Sequence, residues 1–250
     1  VTGTGRFLTA EWRWLAMTNH VVDPGLLLPR LPAGLELDLF DGVPMASLVG
    51  FGFLRTRLFG VGVPFHRDFN EVNLRFYVRR RVGNGWRRGV VFVRELVPRW
   101  ALAAVARVAY GEPYASVPME HAIDEDGRRV TYRWRWRGSW CALEMETGPN
   151  WTSPAPGSEM AFITEHFWGY SGGPGRPTRE YEVEHPPWRV RAAARVTTSG
   201  DLAAVYGREF GDVLGRAPRS AFLAEGSEVT VRRPTLLTPE SLAPPRARSR

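Results

Sequence analysis

Glu71, Asn73 and Arg75 stand at every second position of the segment Phe69-Asn70-Glu71-Val72-Asn73-Leu74-Arg75-Phe76-Tyr77-Val78. A carboxylate, an amide and a guanidinium at that spacing can hold a small acid and move a proton on it. Side chains on a strand alternate between its two faces, so Val72, Leu74, Phe76 and Val78 share one face. Phe69, Glu71, Asn73, Arg75 and Tyr77 share the other. Inside a closed sheet this polar face would line a pocket, where burial raises the Glu71 carboxyl toward the general acid–base range. The same pattern also describes an ion-paired surface stripe, and periodicity alone leaves both readings open.

The basic residues number 33 and all are arginine; the 250-residue chain contains no lysine. That excludes a lysine Schiff base with a carbonyl substrate or with pyridoxal phosphate. It also excludes a Walker A phosphate loop and a kinase active site. No cofactor is called for. The five histidines, His20, His66, His121, His166 and His185, form no His-Glu-x-x-His pattern, and ordinary hydrogen-bonded roles are expected for them rather than a metal site. His66-Arg67-Asp68 and His20-Val21-Val22-Asp23 are the nearest approaches to ligand pairs. The single cysteine, Cys141, rules out an intramolecular disulfide and reads as a buried, inert thiol.

A net charge of +7 and a pI near 10.2 raise nucleic acid as a partner. The arginines are scattered among 26 acidic residues, however, with dense groups only at Arg79–Arg81, Arg87–Arg88 and the alternating Arg133, Arg135 and Arg137. Tyr132, Trp134 and Trp136 alternate with that last set. They read either as a base-stacking platform or, in the favoured reading, as a core face backed by solvated arginines. Without a signal peptide or a long apolar run, the chain is expected to be cytoplasmic, with no membrane contact. A small-molecule ligand is the expected partner and nucleic acid the less favoured one, while self-association is left open.

The elements that must position these groups are mostly strands. Phe69–Val82 and Trp86–Leu96 flank Gly83-Asn84-Gly85, a hairpin turn, and Asp124–Gly127 marks a second hairpin. Further strands are expected at Cys141–Glu146, Tyr181–Glu184, Trp188–Val196 and Glu228–Arg232. One helix is expected at Pro98–Tyr110. A second, capped by Asp201, runs from Leu202 toward Leu214 and is irregular because Gly207, Gly211 and Gly215 interrupt it. Residues 1–238 therefore read as one mainly β (α+β) domain of antiparallel sheets with a few packing helices, and 239–250 as a disordered tail.

The order of short motifs along the chain resembles the YqjF-like family (DUF2071) of uncharacterised bacterial proteins. The stretches that carry the resemblance begin with Trp14-Leu15-Ala16-Met17-Thr18-Asn19, Asp23-Pro24 with Leu28, Pro32 and Gly34, Gly42, and Ser47-Leu48-Val49. They continue with Phe69-x-Glu71-Val72-Asn73-Leu74-Arg75-x-Tyr77-Val78, Gly89-Val90-x-Phe92, Arg107-x-x-Tyr110-x-x-Pro113-Tyr114 and Gly226-Ser227. The likeness spans roughly Thr9 to Pro234.

That family is similar in fold to acetoacetate decarboxylase, which implies a closed or cone-shaped antiparallel barrel around a small-molecule pocket. The resemblance sets Glu71 in the place of the decarboxylase's pocket glutamate. It sets Gly111-Glu112-Pro113-Tyr114 on the Gly-x-Pro-Lys stretch, with tyrosine in place of the Schiff-base lysine. It thus implies a pocket that has lost iminium chemistry. Within it, Glu71 and Tyr114 are candidate catalytic residues, and Phe69, Asn73, Arg75 and Tyr77 candidates for binding a small oxo- or hydroxy-acid. A purely ligand-binding protein and an arginine-rich nucleic-acid binder are the alternatives.

Overall fold

The computed structural model describes residues 5–62, 67–98 and 110–238. The helix expected at Pro98–Tyr110 falls almost wholly outside the described residues, as do His66 and the tail from 239 onward.

The chain opens with β1 (Arg6–Val21), the short helix α1 (Pro24–Leu27), and the strands β2 (Glu36–Leu37), β3 (Leu39–Phe40), β4 (Val43–Leu58) and β5 (Val61–Gly62). Then come β6 (Phe69–Val82), β7 (Gly85–Val97), β8 (Tyr114–Ser116), β9 (Met119–Ile123), β10 (Arg129–Trp136) and β11 (Ser139–Thr147). Helix α2 (Glu159–Thr164) leads into β12 (Trp168–Gly173), β13 (Arg176–Glu184) and β14 (Val190–Ser199). Helices α3 (Leu202–Tyr206) and α4 (Arg208–Leu214) precede β15 (Ser220–Arg232) and β16 (Thr235–Leu236).

Seven strands pair in the cyclic order β13-β12-β7-β6-β4-β1-β15, and Val183 opposite Val231 joins β15 back to β13. Pairing is mostly antiparallel, as expected, except that β7 runs parallel to both β12 and β8. Strands β14, β11, β10 and β9 continue from β15 as a second layer. Among the described residues, no helix is long and apolar enough to cross a membrane.

Both hairpin signals hold. Val82 faces Gly85 across a two-residue turn in which Gly83 takes a φ of +56°. In the other, Asp124 Oδ1 accepts from the Arg128 and Arg129 amides at 2.6 and 3.1 Å. Asp201 caps α3 by accepting from the Ala204 amide at 2.9 Å. Gly207, with φ +95°, then separates α3 from α4. Gly211 has a reason beyond irregularity: a Cβ there would lie 2.6 Å from Ala203, so its bare backbone lets α4 close onto α3.

The two faces of β6 go to different cores. Val72, Leu74, Phe76 and Val78 are fully buried in the apolar layer between the ring and the second sheet, together with Tyr132, Trp134 and the helix residues Val205 and Phe210. The opposite face of β6 looks into the ring. Tyr132 and Trp134 are thus core side chains and Trp136 is half-buried, while Arg133 and Arg135 face solvent. A stacking platform for bases needs exposed rings, and this strand does not offer them.

Candidate functional site

A cavity of about 120 Å³ occupies the inside of the ring. All seven ring strands contribute to its wall, among them Trp12 of β1, Phe51 of β4, Glu71 of β6 and Phe92 of β7. Trp168 of β12, Tyr181 of β13 and Val231 of β15 complete the circuit. The size is close to that of a cavity able to hold a benzene ring.

Phe69, Glu71, Asn73 and Arg75 line this cavity together, as alternation along β6 requires. Glu71, Asn73 and Arg75 are all buried, so the surface-stripe reading fails. Asn73 Nδ2 donates to Glu71 Oε1 at 2.8 Å. Tyr77 is the exception. Its hydroxyl is engaged with Ser47 Oγ at 2.6 Å and its ring packs on Phe162 and His166, so it is no part of the cavity wall. The strand has moved beyond the cavity by that position.

Tyr114 does converge on Glu71. Its hydroxyl lies within hydrogen-bonding reach of both the Glu71 and the Glu95 carboxyls. Strand β8 runs parallel to β7 with Tyr114 opposite Glu95, and Glu95 in turn is opposite Asn73 on β6. Three neighbouring strands thereby bring Asn73, Glu95 and Tyr114 into line. Glu112, two residues before Tyr114, is also buried in the wall and accepts a hydrogen bond from the Tyr181 hydroxyl.

Glu95 and Glu112 are functional candidates that sequence reasoning missed. Strict alternation from Val90 and Phe92, which line the cavity, would turn Glu95 away from it. The β6–β7 register shifts between Leu74 and Arg75, however, and this bulge resets the alternation. Val93 packs into the outer core and the Arg94 guanidinium lies over Trp136, so two successive residues point away and Glu95 points in. No glycine or proline announces the bulge. Glu112 was visible inside the Gly-x-Pro stretch but has no strand periodicity of its own to orient it.

Three carboxyls around one cavity cannot all ionise cheaply. Burial pushes Glu71 up to about 7, against the pull of its Asn73 and Tyr114 hydrogen bonds and the nearby Arg75 charge. Burial takes Glu112 up to about 8, helped by the Glu71 charge and opposed by the Tyr181 hydrogen bond. Glu95 rises well above the ordinary range through burial and the charges of Glu112 and Glu71. The Tyr114 phenol is likewise held protonated, by burial first and then by the three carboxyls.

Two histidines reach the wall. His166 is taken up on both sides, by Phe162 O at 2.6 Å and Asp38 Oδ2 at 3.0 Å. His185 stacks on Trp188 at 3.9 Å between ring centres, and burial lowers it to about 4. His20 bonds Thr18 at 3.2 Å, while Asp23 turns to the Gly25 amide at 2.7 Å, so that pair does not converge. Among the described residues, no group of three or more His, Cys, Asp and Glu side chains is arranged to hold a metal ion.

Four of the five hairpin arginines pair with carboxylates, while Arg81 is exposed and its Nε donates to Gly83 O at 3.3 Å. Arg80, 5% exposed, makes two 2.9 Å hydrogen bonds to Glu180, which also accepts from Arg87 at 2.6 Å. Arg79 pairs with Glu36, and Arg88 with Asp38, each at 2.6 Å.

Residues 9–228 match DUF2071, described as an uncharacterized conserved protein. Among solved structures, acetoacetate decarboxylase from Legionella pneumophila superposes with a TM-score of 0.67 at 12% identity, covering 94% of this chain and 88% of that one. An acetoacetate decarboxylase-like enzyme from Sphingomonas wittichii gives 0.62 at 16% identity, covering 94% of both chains. The enduracididine biosynthesis enzyme MppR, complexed with pyruvate, gives 0.64 at 14% identity, covering 94% and 91%. These identities establish a common fold and no more, and they bear out the expected acetoacetate-decarboxylase-like architecture. No curated protein matches the sequence.

Proposed function

Because the chain belongs to the DUF2071 family, we propose that its fold encloses a binding site for a small oxo- or hydroxy-acid and performs lysine-independent proton transfer on it. The observation that carries this reading is the convergence of Glu71, Glu95 and Tyr114 with Arg75 on one buried cavity. A neighbour of the same fold, MppR, is complexed with pyruvate, itself a small oxo-acid.

In this reading Arg75 pairs with the carboxylate of the ligand. Tyr114 donates a hydrogen bond to the carbonyl oxygen, and to the enolate oxygen as negative charge develops there. Glu71, poised near 7, takes the proton from the carbon next to the carbonyl and returns it. The Schiff-base route is closed because the chain has no lysine.

The test is proton exchange in D2O, followed by NMR with pyruvate and acetoacetate. Exchange at the carbon next to the carbonyl is expected with the wild-type protein and lost in Glu71→Gln. Undiminished exchange in that variant would remove Glu71 from the chemistry. Binding of either acid without exchange would reduce the protein to a non-catalytic binder.

A further inference from the structure

Two buried oxygens in the cavity wall have no hydrogen-bond partner among the described residues: Asn73 Oδ1 and Glu95 Oε2. Both residues are 1% exposed. They face each other across the β6–β7 pair, so the two acceptors border the same part of the cavity. A buried acceptor without a donor is costly, and two side by side specify what should sit between them. Two residues further along β6, the Arg75 Nε donor is also without a partner.

We infer that the acid bound in this cavity also carries a protonated amine, seated between Asn73 Oδ1 and Glu95 Oε2 while Arg75 holds its carboxylate. This rests on the reading of the cavity as a ligand site and narrows its substrate class to amino-substituted acids.

The charge balance of the wall points the same way. Glu71, Glu95 and Glu112 face it, and Arg75 is the one guanidinium among the described lining residues. No lysine exists to supply a second cation. Without a second cation these carboxyls are held protonated; an ammonium group lets Glu95 ionise against it and brings three donors, whereas a hydroxyl or carbonyl brings one donor or none. Residues two apart on a strand are separated by about 7 Å, a span that an acid of about four carbons with a terminal amine can bridge.

The experiment is isothermal titration of the intact protein at neutral pH with 3-hydroxybutyrate and 4-amino-3-hydroxybutyrate, which differ only in the amino group. The amino compound is expected to bind at least about tenfold more tightly, since a charge-assisted hydrogen bond is gained. In Glu95→Gln that advantage should shrink to less than about threefold. Asn73→Ala is the second variant, with the same expected loss. Equal or weaker binding of the amino compound to wild type overturns the inference and leaves the acid-binding reading standing. An advantage that persists in both variants also overturns it. If neither compound binds, the acid-binding reading fails and the inference falls with it.

Discussion

Gly169 stands opposite Tyr181 in the β12–β13 register, and a Cβ on Gly169 would come within 2.0 Å of the Tyr181 ring. The bare backbone therefore gives Tyr181 its place over the cavity, from which its hydroxyl reaches Glu112. Gly169→Ala must displace that ring, and overpacking of this kind costs about 1–3 kcal/mol. Urea unfolding should show the loss. Gly148→Ala is the control, because nothing lies within 4 Å of a Cβ there.

The carboxyl cluster makes the ligand-free protein less stable as pH rises. Burial lifts Glu71 from 4.5 to about 7 and Glu112 from 4.5 to about 8 in the folded chain. Between these limits the folded state binds more protons than the unfolded one, so stability contributed below about pH 4.5 is lost as pH climbs through the folded values. Below about pH 6.5 the buried His20, His166 and His185, lowered to about 4, oppose this loss, so thermal unfolding midpoints should fall clearly between about pH 6.5 and pH 8. Glu112→Gln should flatten the slope. An unchanged slope would show that Glu112 titrates normally.

Tyr114 draws Glu71 and Glu95 downward through its hydrogen bonds. In Tyr114→Phe that support disappears while ring packing is kept, so Glu71 should titrate above its value of about 7. Carbon-13 NMR of the glutamate carboxyls across pH measures this directly. A downward move would contradict the hydrogen-bonded arrangement.

Ion pairs on this surface differ sharply in worth. Glu180 is buried between Arg80 and Arg87, and Glu180→Gln should cost about 3–5 kcal/mol because it removes the carboxylate that balances the buried Arg80 charge. Glu120, paired with Arg133 at 3.1 Å, is exposed. Glu120→Gln should cost under about 1 kcal/mol. Denaturant titrations of the two variants side by side give the comparison.

Local chemistry made part of this protein legible from sequence. Alternation along Phe69–Val82 assigned its two faces, because a strand's side-chain period does not depend on distant residues. The Gly83-Asn84 turn, the Asp124 turn and the Asp201 cap were readable for the same reason: each involves groups within a few residues. The absence of lysine closed off Schiff-base chemistry before any fold was known.

What decided the site was long-range. The bulge that turns Glu95 inward is a mismatch between β6 and β7, so β7 alone carries no sign of it. Tyr181 meets Glu112 across 69 positions of sequence. Arg80 finds Glu180 across 100, which takes one arginine of the apparent basic tip into a buried ion pair. The Val183–Val231 pairing closes the ring and so gives the cavity its last wall. Strand periodicity tells which way a side chain points from its own strand. Only closure of the ring decides which other side chains it meets, and with them how far burial and neighbouring charge move its protons.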